Sequence, residues 1–341
     1  MKDLLAFDVR TREWPMPKLI DVTLRDGGFR NSFSWSIDEI IKIATAALNA
    51  GAYCAELGYI GGVPELHNVR DVGPAASLTV KDVEQVRKRI DKGLLCAMVH
   101  PSVAVSNQPF EALQQAGLNM VRLVYHESWD DRFVSLAEAA ASAGLTTSAN
   151  LALASRYDLP GLIEKARHLC QHVDIIYLAD TCSAMLPAEV EALTQELIKM
   201  CPVGFHGHDF LSLALANALI ATSAGATWID ASICGIGRGA GNLRLELWLV
   251  LQASCKADSA KLRPLVYAMQ MIEDRLGPQT IPDLGSIISG ALNLTPPQED
   301  QLRTFAHLET LPIGDASVAL LDSRLNAESV TEVLEKFFAQ L

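Results

Sequence analysis

A short apolar run followed by a segment of helical periodicity recurs eight times between residues 18 and 256. Glycines such as Gly51, Gly93 and Gly144 stand between a helical segment and the next apolar run, as is typical of helix ends. Strands that alternate with helices favour a parallel sheet. Eight such units in about 240 residues match the size of a (β/α)8 barrel. We therefore predict an α/β fold, a TIM barrel spanning residues 18–256.

The remaining segments are predicted to lie outside the barrel. Residues 1–17 form an N-terminal arm, and residues 257–341 contain helical stretches separated by prolines, which predicts a helical C-terminal extension that caps the barrel or forms an interface. A doubly wound sheet is disfavoured. It would place G-x-G-x-x-G after the first strand, where this chain reads Asp26-Gly27-Gly28-Phe29.

Composition limits the classes of partner. The formal net charge is −12 and Lys and Arg do not cluster, which argues against nucleic acid or an acidic membrane surface. Without a membrane-length apolar run or a signal-peptide core, the chain is expected to be cytoplasmic. The seven cysteines are scattered singly and are expected to be reduced thiols. A small molecule is the expected partner.

Polar residues are concentrated where the predicted strands end. In a TIM barrel these ends share one rim, where the active site lies. The convergence predicts a binding or catalytic site. The residues are Arg25, Asp26, Glu56, Tyr59, His100, His126, Asn150, Asp180, Thr181, His206, His208 and Asp230.

Two of these residues, His206 and His208, are expected on a strand-to-helix turn. Residues two apart in extended backbone project to the same face, so both imidazoles can reach one ion. A divalent ion bound by two imidazoles needs oxygen ligands, which Asp26 can supply. Such a pair also occurs as polar loop histidines without metal, but the convergence of strand ends favours a metal site.

The last loop, residues 235–242, combines four glycines with Arg238 and Asn242 before a helix. Glycines let backbone approach a ligand, and N–H groups at a helix start favour anions. Gly237 and Arg238 are predicted to bind substrate, together with Glu56 and Thr181 at the rim; the alternatives are a turn without ligand at the loop and a buried structural carboxylate at Glu56. No lysine lies near a predicted strand end, which disfavours Schiff-base chemistry.

Four motifs occur in order along the predicted barrel, and their combination resembles the DRE-TIM metallolyase superfamily, the HMGL-like enzymes. That superfamily includes 4-hydroxy-2-oxovalerate aldolase, 3-hydroxy-3-methylglutaryl-CoA lyase and isopropylmalate synthase. The motifs are Asp21-Val22-Thr23-Leu24-Arg25-Asp26-Gly27, Ala179-Asp180-Thr181, His206-Gly207-His208-Asp209 and the glycine-rich loop at 235–242.

The resemblance implies specific roles. It implies a TIM barrel that holds Mn²⁺ or Mg²⁺ through Asp26, His206 and His208, with Asn242 as a further ligand. It also implies that Arg25 stabilises the enolate formed when a carbon–carbon bond beside a carbonyl is broken or made. This agrees with the physics, because a guanidinium beside a polarised carbonyl stabilises developing negative charge.

The chain departs from the pattern at Phe29. The aldolases of this superfamily carry a catalytic histidine at that position, and phenylalanine cannot transfer a proton. The length of the C-terminal region resembles that of the 4-hydroxy-2-oxovalerate aldolases, which work with an acylating aldehyde dehydrogenase; the resemblance alone implies that partner. We also expect a homo-oligomer.

Aldol cleavage needs a group that accepts the substrate's hydroxyl proton. We rank His100 first and His126 next, because side chains at strand ends are held more firmly than those on long loops. Tyr59 and His67 are the other side chains considered. A metal-bound water or hydroxide is the alternative.

The leading functional prediction is a divalent-metal-dependent aldolase or lyase that cleaves a 4-hydroxy-2-oxo acid to pyruvate and an aldehyde, or runs the condensation. A Claisen-type enzyme that condenses an acyl thioester, or an enzyme like HMG-CoA lyase, is the alternative within enzymes. A metal-bound barrel without catalysis, acting as a binding or scaffold protein, is the alternative from another class, and Phe29 motivates it.

Overall fold

The computed structural model describes residues 16–66, 72–103, 110–256, 262–277, 283–308, 310–314, 316–317 and 320. Its strands are β1 (Lys18–Asp21), β2 (Cys54–Ile60), β3 (Leu94–Val99), β4 (Met120–Tyr125), β5 (Thr146–Leu151), β6 (Ile175–Asp180), β7 (Val203–Gly207) and β8 (Trp228–Ala231). They form a closed barrel in sequence order, and β1 pairs in parallel with both β2 and β8. The predicted TIM barrel is confirmed.

Among the described residues, eight α-helices alternate with these strands and three more follow them. They are α1 (Ile37–Ala50), α2 (Val80–Arg89), α3 (Phe110–Gln115), α4 (Asp130–Ser142), α5 (Leu159–Leu169), α6 (Pro187–Leu197), α7 (Ala214–Ser223), α8 (Leu245–Lys256), α9 (Arg263–Leu276), α10 (Leu284–Ala291) and α11 (Pro296–Leu308). None of the described helices is long and apolar enough to cross a membrane. Residues 1–15 of the predicted arm and the part of the predicted extension beyond residue 320 lie outside the described residues.

Apolar side chains fill the barrel interior toward the N-terminal ends of the strands, so the polar site lies at the opposite rim. This interior cluster comprises Ile20, Val22, Cys54, Cys96, Met120, Ile175, Tyr177 and Trp228. A larger core packs the outer faces of the strands against the helices. Because helices cover the outside of the barrel and side chains fill its interior, strands such as β3 read as continuous apolar runs.

Several strands end at other residues than their apolar runs predicted, and two of these differences position site residues. The first strand, predicted at residues 19–24, ends at Asp21, because a turn begins where the Asp26 N–H donates to the Val22 carbonyl (2.8 Å). The seventh strand extends to Gly207, since its residues continue to pair with β6. His206 therefore lies within β7, and only His208 lies beyond it.

The C-terminal helices pack on the barrel in two places. Helix α9 packs against α1 and buries Leu265, Ala268 and Ile272. Helices α10 and α11 share a separate apolar cluster that includes Leu292, Leu302 and Phe305. The start of α11 reaches the C-terminal rim of the barrel. The predicted helical extension is confirmed in its described part.

A β-bulge in β2 turns the side chain of Tyr59 toward the interior of the barrel. The register between β2 and β3 shifts between Glu56 and Tyr59. Side chains three apart in a regular strand face opposite sides, but one extra residue returns them to the same side. Glu56 and Tyr59 therefore both face the interior of the barrel. Gly58, inside the bulge, has a φ of +142° and lies against the backbone of Ala75.

We expect Gly58→Ala to lower the free energy of unfolding by about 2 kcal/mol more than Gly144→Ala. Both glycines have positive φ, so alanine is strained at each. A Cβ at position 58 would also lie 2.1 Å from the Ala75 carbonyl oxygen, whereas one at position 144 meets no heavy atom within 4 Å. Urea unfolding followed by circular dichroism measures the difference. Equal losses for the two variants would contradict the close approach at Gly58.

Candidate metal centre and active site

Asp26, His206 and His208 converge at the C-terminal rim. One ligand atom from each lies within 4.8 Å of the others, and all three side chains are buried. The two Nε2 atoms are 3.4 Å apart, and His208 Nε2 is 3.9 Å from Asp26 Oδ2. Asp26 follows β1, His206 lies in β7 and His208 follows it, so the two strands that flank β8 in the closed barrel bring the three together.

The hydrogen bonds of the two histidines fit a bound cation. His206 Nδ1 lies 2.9 Å from Asp230 Oδ2, and His208 Nδ1 lies 3.2 Å from the Gly241 carbonyl oxygen. Because these oxygens accept, each Nδ1 carries the proton and each neutral ring keeps a lone pair on Nε2. Two lone pairs facing each other repel unless both bind a cation. Metal-ligating histidines characteristically donate their other N–H to a carboxylate or carbonyl in this way.

The charge states also suit a divalent cation. Burial alone would raise the pKa of Asp26, but Arg25, the two imidazoles and a hydrogen bond from Asn242 hold that pKa well below its usual range. Burial lowers the pKa of His208 to about 4. At neutral pH the site therefore offers a carboxylate and a neutral imidazole, which are the forms that bind metal.

Asn242 lies beside this triad. Its Nδ2 donates to Asp26 Oδ2 at 2.6 Å, while its buried Oδ1 has no hydrogen-bond partner among the described residues. A buried polar atom without a partner is costly and needs an explanation. An amide oxygen next to the triad fits a further oxygen ligand of the same cation.

Arg25 is held beside Asp26 by two carboxylates. Its Nη1 donates to Asp26 Oδ1 (2.8 Å) and its Nε donates to Glu56 Oε2 (2.8 Å). Its Nη2 is buried and has no hydrogen-bond partner among the described residues. Glu56 is fully buried, so its carboxylate orients Arg25 from behind and does not line the cavity.

Arg122 extends this network to His206 of the triad, and its role was missed from the sequence. The fully buried guanidinium donates to Glu56 Oε2 (3.0 Å) and to Asp230 Oδ2 (2.6 Å), and it lies 4.2 Å from the centre of the Tyr177 ring. Asp230 in turn accepts from His206. The sequence did contain a signal for this role, because Arg122 is the single charged residue in the otherwise apolar strand β4.

A cavity of about 320 Å³ opens above these side chains. This volume is near the lower end for small-molecule sites. None of the described residues that line it is a lysine. They are Arg25, Asp26, Phe29, Tyr59, Glu65, Met98, His100, Val124, His126, Trp129, Asn150, Ala152, Leu153, Ala179, Thr181, His206, His208, Arg238, Pro296 and Pro297.

The structure brings most of the other predicted rim residues to this cavity, but Asp180 does not line it and instead accepts from the Ala184 and Met185 N–H groups at 2.9 and 3.2 Å. His100 and His126 directly follow β3 and β4, and both line the wall. Tyr59 is buried, and burial raises the pKa of its hydroxyl. Thr181 accepts a hydrogen bond from the Leu153 N–H at 3.0 Å. His67 lies outside the described residues.

The glycine-rich loop supports the site from the side. A Cβ on Gly237 would lie 2.5 Å from Asn242 Nδ2 and 2.8 Å from Asp26 Oδ2, so Gly237 packs behind the ligands and does not line the cavity. Arg238 lines the cavity, but its guanidinium pairs with Glu65 (3.1 Å) and Asp300 (2.8 Å). Asp300 lies in α11, so Arg238 ties the loop to the C-terminal extension.

Phe29 occupies the cavity wall near the metal ligands. It contacts the rings of Phe33 and Tyr59, at centroid distances of 5.2 and 6.4 Å. The Arg238 guanidinium lies 5.2 Å from the centre of its ring. The residue that departs from the aldolase pattern therefore does face the cavity.

Comparison with known proteins identifies the family. The chain is 29% identical to a 4-hydroxy-2-oxovalerate aldolase from Thermus thermophilus, over 84% of this chain and 83% of that protein. It is 30% identical to an oxaloacetate decarboxylase from Mycobacterium tuberculosis, over 67% and 68% respectively. A Bacillus subtilis HMG-CoA lyase structure, 22% identical, superposes with a TM-score of 0.62 over 79% of this chain and 97% of that one, which supports the fold alone. The HMGL-like family model matches residues 16–264, so the chain belongs to the HMGL-like family.

Proposed function

We propose that this protein is a divalent-metal-dependent carbon–carbon lyase that cleaves a 4-hydroxy-2-oxo acid to pyruvate and an aldehyde. The observation that carries the proposal is the placement of Arg25 beside the Asp26, His206 and His208 triad at a small-molecule cavity. Relatives named 4-hydroxy-2-oxovalerate aldolase support the same chemistry.

Asp26, His206 and His208, with Asn242, would hold Mn²⁺ or Mg²⁺. When bound, the ion supplies a Lewis acid beside the carbonyl oxygens of a 2-oxo acid. Asp230 and the Gly241 carbonyl orient the two imidazoles by accepting their Nδ1 protons. Arg122 holds Asp230 in turn, which keeps that carboxylate ionised and in place.

Arg25 stabilises the negative charge that develops on the enolate oxygen. Its guanidinium is already fixed by Asp26 and Glu56, and Nη2 is the donor left without a partner at the cavity. A preoriented donor in a buried site loses little energy to reorganisation as charge develops.

Two proton transfers complete the reaction. The substrate's 4-hydroxyl loses a proton as the C3–C4 bond breaks, and C3 of the enolate gains one to give pyruvate. Tyr59 stays protonated because burial raises its pKa, so it suits the donor role. The sequence ranks His100 and then His126 as proton acceptor, but a backbone N–H bonded to Nδ1 of each ring disfavours that role. The homo-oligomer and the aldehyde dehydrogenase partner stay predictions.

Decarboxylation of oxaloacetate is the second candidate. It also breaks the C3–C4 bond of a 2-oxo acid and releases carbon dioxide and the enolate of pyruvate, so the same residues could serve it. The relative named oxaloacetate decarboxylase favours this alternative. The described cavity residues contain no lysine, so neither reaction is assigned to a Schiff base.

The proposal is tested by pyruvate release from a panel of 4-hydroxy-2-oxo acids and oxaloacetate. Chelator-treated protein is assayed alone and after addition of Mn²⁺ or Mg²⁺, with lactate dehydrogenase as the detector of pyruvate. We expect metal-dependent release from at least one 4-hydroxy-2-oxo acid, faster than from oxaloacetate. Turnover of oxaloacetate alone would favour the decarboxylase, and turnover that survives complete metal removal would contradict both assignments.

A further inference from the structure

The same local motif ends two neighbouring strands on the cavity wall. His100 follows β3 and His126 follows β4, and each has a serine two residues later. The hydroxyls of Ser102 and Ser128 lie 2.7 Å from Nδ1 of their respective histidines. The backbone N–H of each serine also donates to that Nδ1, at 3.3 and 3.2 Å.

These contacts fix the tautomer of both rings. A backbone N–H can only donate, so Nδ1 is the acceptor and the neutral ring carries its proton on Nε2. His100 and His126 therefore each carry an N–H group on Nε2. Neither Nε2 has a hydrogen-bond partner among the described residues. A ring in this form has no lone pair there with which to accept a proton, which argues against the general-base role predicted for them.

His100 and His126 lie together on the cavity wall across from His206 and His208. Both rings contact Trp129, at centroid distances of 4.7 Å for His100 and 5.3 Å for His126. In the closed eight-strand ring, β3 and β4 lie opposite β7 and β8. A substrate whose 2-oxo acid end lies at the metal centre would extend its other end toward this wall.

The wall suits a group that only accepts hydrogen bonds. Between the histidines and the barrel interior, the wall is formed by the apolar side chains of Met98 and Val124. A carboxylate can accept from two N–H groups at once, and hydrogen bonds to an ionised acceptor are about twice as strong as neutral ones. The protein's own carboxylate in this part of the cavity, Glu65, is already paired with Arg238.

We infer that His100 and His126 form a subsite for a second carboxylate, so that the substrate is a 4-hydroxy-2-oxo diacid. The inference deepens the proposed function and rests on it, because the metal centre sets the orientation of the substrate. It assigns the two histidines to specificity, as donors that bind the end of the substrate released as the aldehyde.

Binding of unreactive analogues tests the subsite without turnover. 2-Oxoglutarate and 2-oxopentanoate have the same chain length and differ by a carboxylate in place of a methyl group. Isothermal titration of the Mn²⁺-loaded protein is expected to show at least about tenfold tighter binding of the diacid. The double variant His100→Leu/His126→Leu should lose that preference and keep its affinity for 2-oxopentanoate. His100→Gln/His126→Gln, whose amides can still donate, should retain part of the preference.

The matching substrates are 4-hydroxy-2-oxoglutarate and 4-hydroxy-2-oxopentanoate. We expect kcat/KM to favour the diacid by at least about tenfold in the unmodified protein, and to become equal in the leucine double variant. Equal binding of the two analogues, or equal losses for both in the double variant, would overturn the subsite and leave the lyase proposal standing. A diacid preference in binding without turnover of either substrate would support the subsite and contradict the proposed reaction.

Discussion

His206→Ala and His208→Ala are each expected to lose bound Mn²⁺, and with it all measurable lyase activity. Each variant removes one Nε2 from a site in which both nitrogens face the same point, 3.4 Å apart. Even the loss of a residue that orients a metal ligand typically lowers metal affinity 10- to 100-fold, so loss of a ligand should cost at least about a hundredfold. His172→Ala is the matched control, because that histidine lies on the outer part of the barrel and pairs with Glu138 at 3.4 Å.

Equilibrium dialysis of all three variants against the same Mn²⁺ concentration, followed by elemental analysis, measures the effect. Circular dichroism establishes whether each variant is folded. Asp26→Asn should behave like the two histidine variants, since it removes the negative charge of the site. Full metal content in His206→Ala and His208→Ala would refute the assigned ligand set.

Arg25→Ala is expected to lower kcat by at least about a hundredfold while most of the metal stays bound. Removal of one donor that stabilises developing charge typically costs that much. Arg25→Lys should restore little of the loss, because an ammonium group cannot bond Asp26 and Glu56 in the fork geometry of a guanidinium and still donate into the cavity.

Turnover is compared at equal occupancy of Mn²⁺, so that a loss of bound metal is distinguished from a slower chemical step. Asp26 and Glu56 each lose a buried ion-pair partner in this variant, although Glu56 keeps its pair with Arg122, so stability will also fall and thermal unfolding is recorded alongside. A variant that loses its metal but keeps normal turnover per bound ion would show that Arg25 holds the ion and does not stabilise the transition state.

The convergence of the metal triad was predictable because it depends on periodicity alone. Once eight strand-helix units are recognised, every strand end falls at one rim, and Asp26, His206 and His208 must approach each other. The capping box that begins α1 is likewise a local pattern, because Ser36 and Glu39 have the spacing that it requires, and both of its hydrogen bonds form.

The features that sequence reasoning missed depend on contacts between segments that lie far apart in the sequence. Arg122 is a single cation in an apolar strand, and its partners Glu56 and Asp230 lie 66 and 108 residues away along the chain. The bulge that turns Tyr59 inward is defined only by pairing with β3. The contribution of Pro296 and Pro297 to the cavity depends on how the C-terminal helices dock on the barrel.

The most direct test of the central claim is exchange of the methyl protons of pyruvate with D₂O, followed by proton NMR. Exchange requires only the enolate of pyruvate, so it does not depend on which aldehyde the enzyme releases. The Mn²⁺-loaded protein should catalyse exchange, and chelation, His206→Ala or Arg25→Ala should each abolish or greatly slow it. Exchange no faster than in buffer with the same concentration of Mn²⁺ would contradict enolate formation at this site.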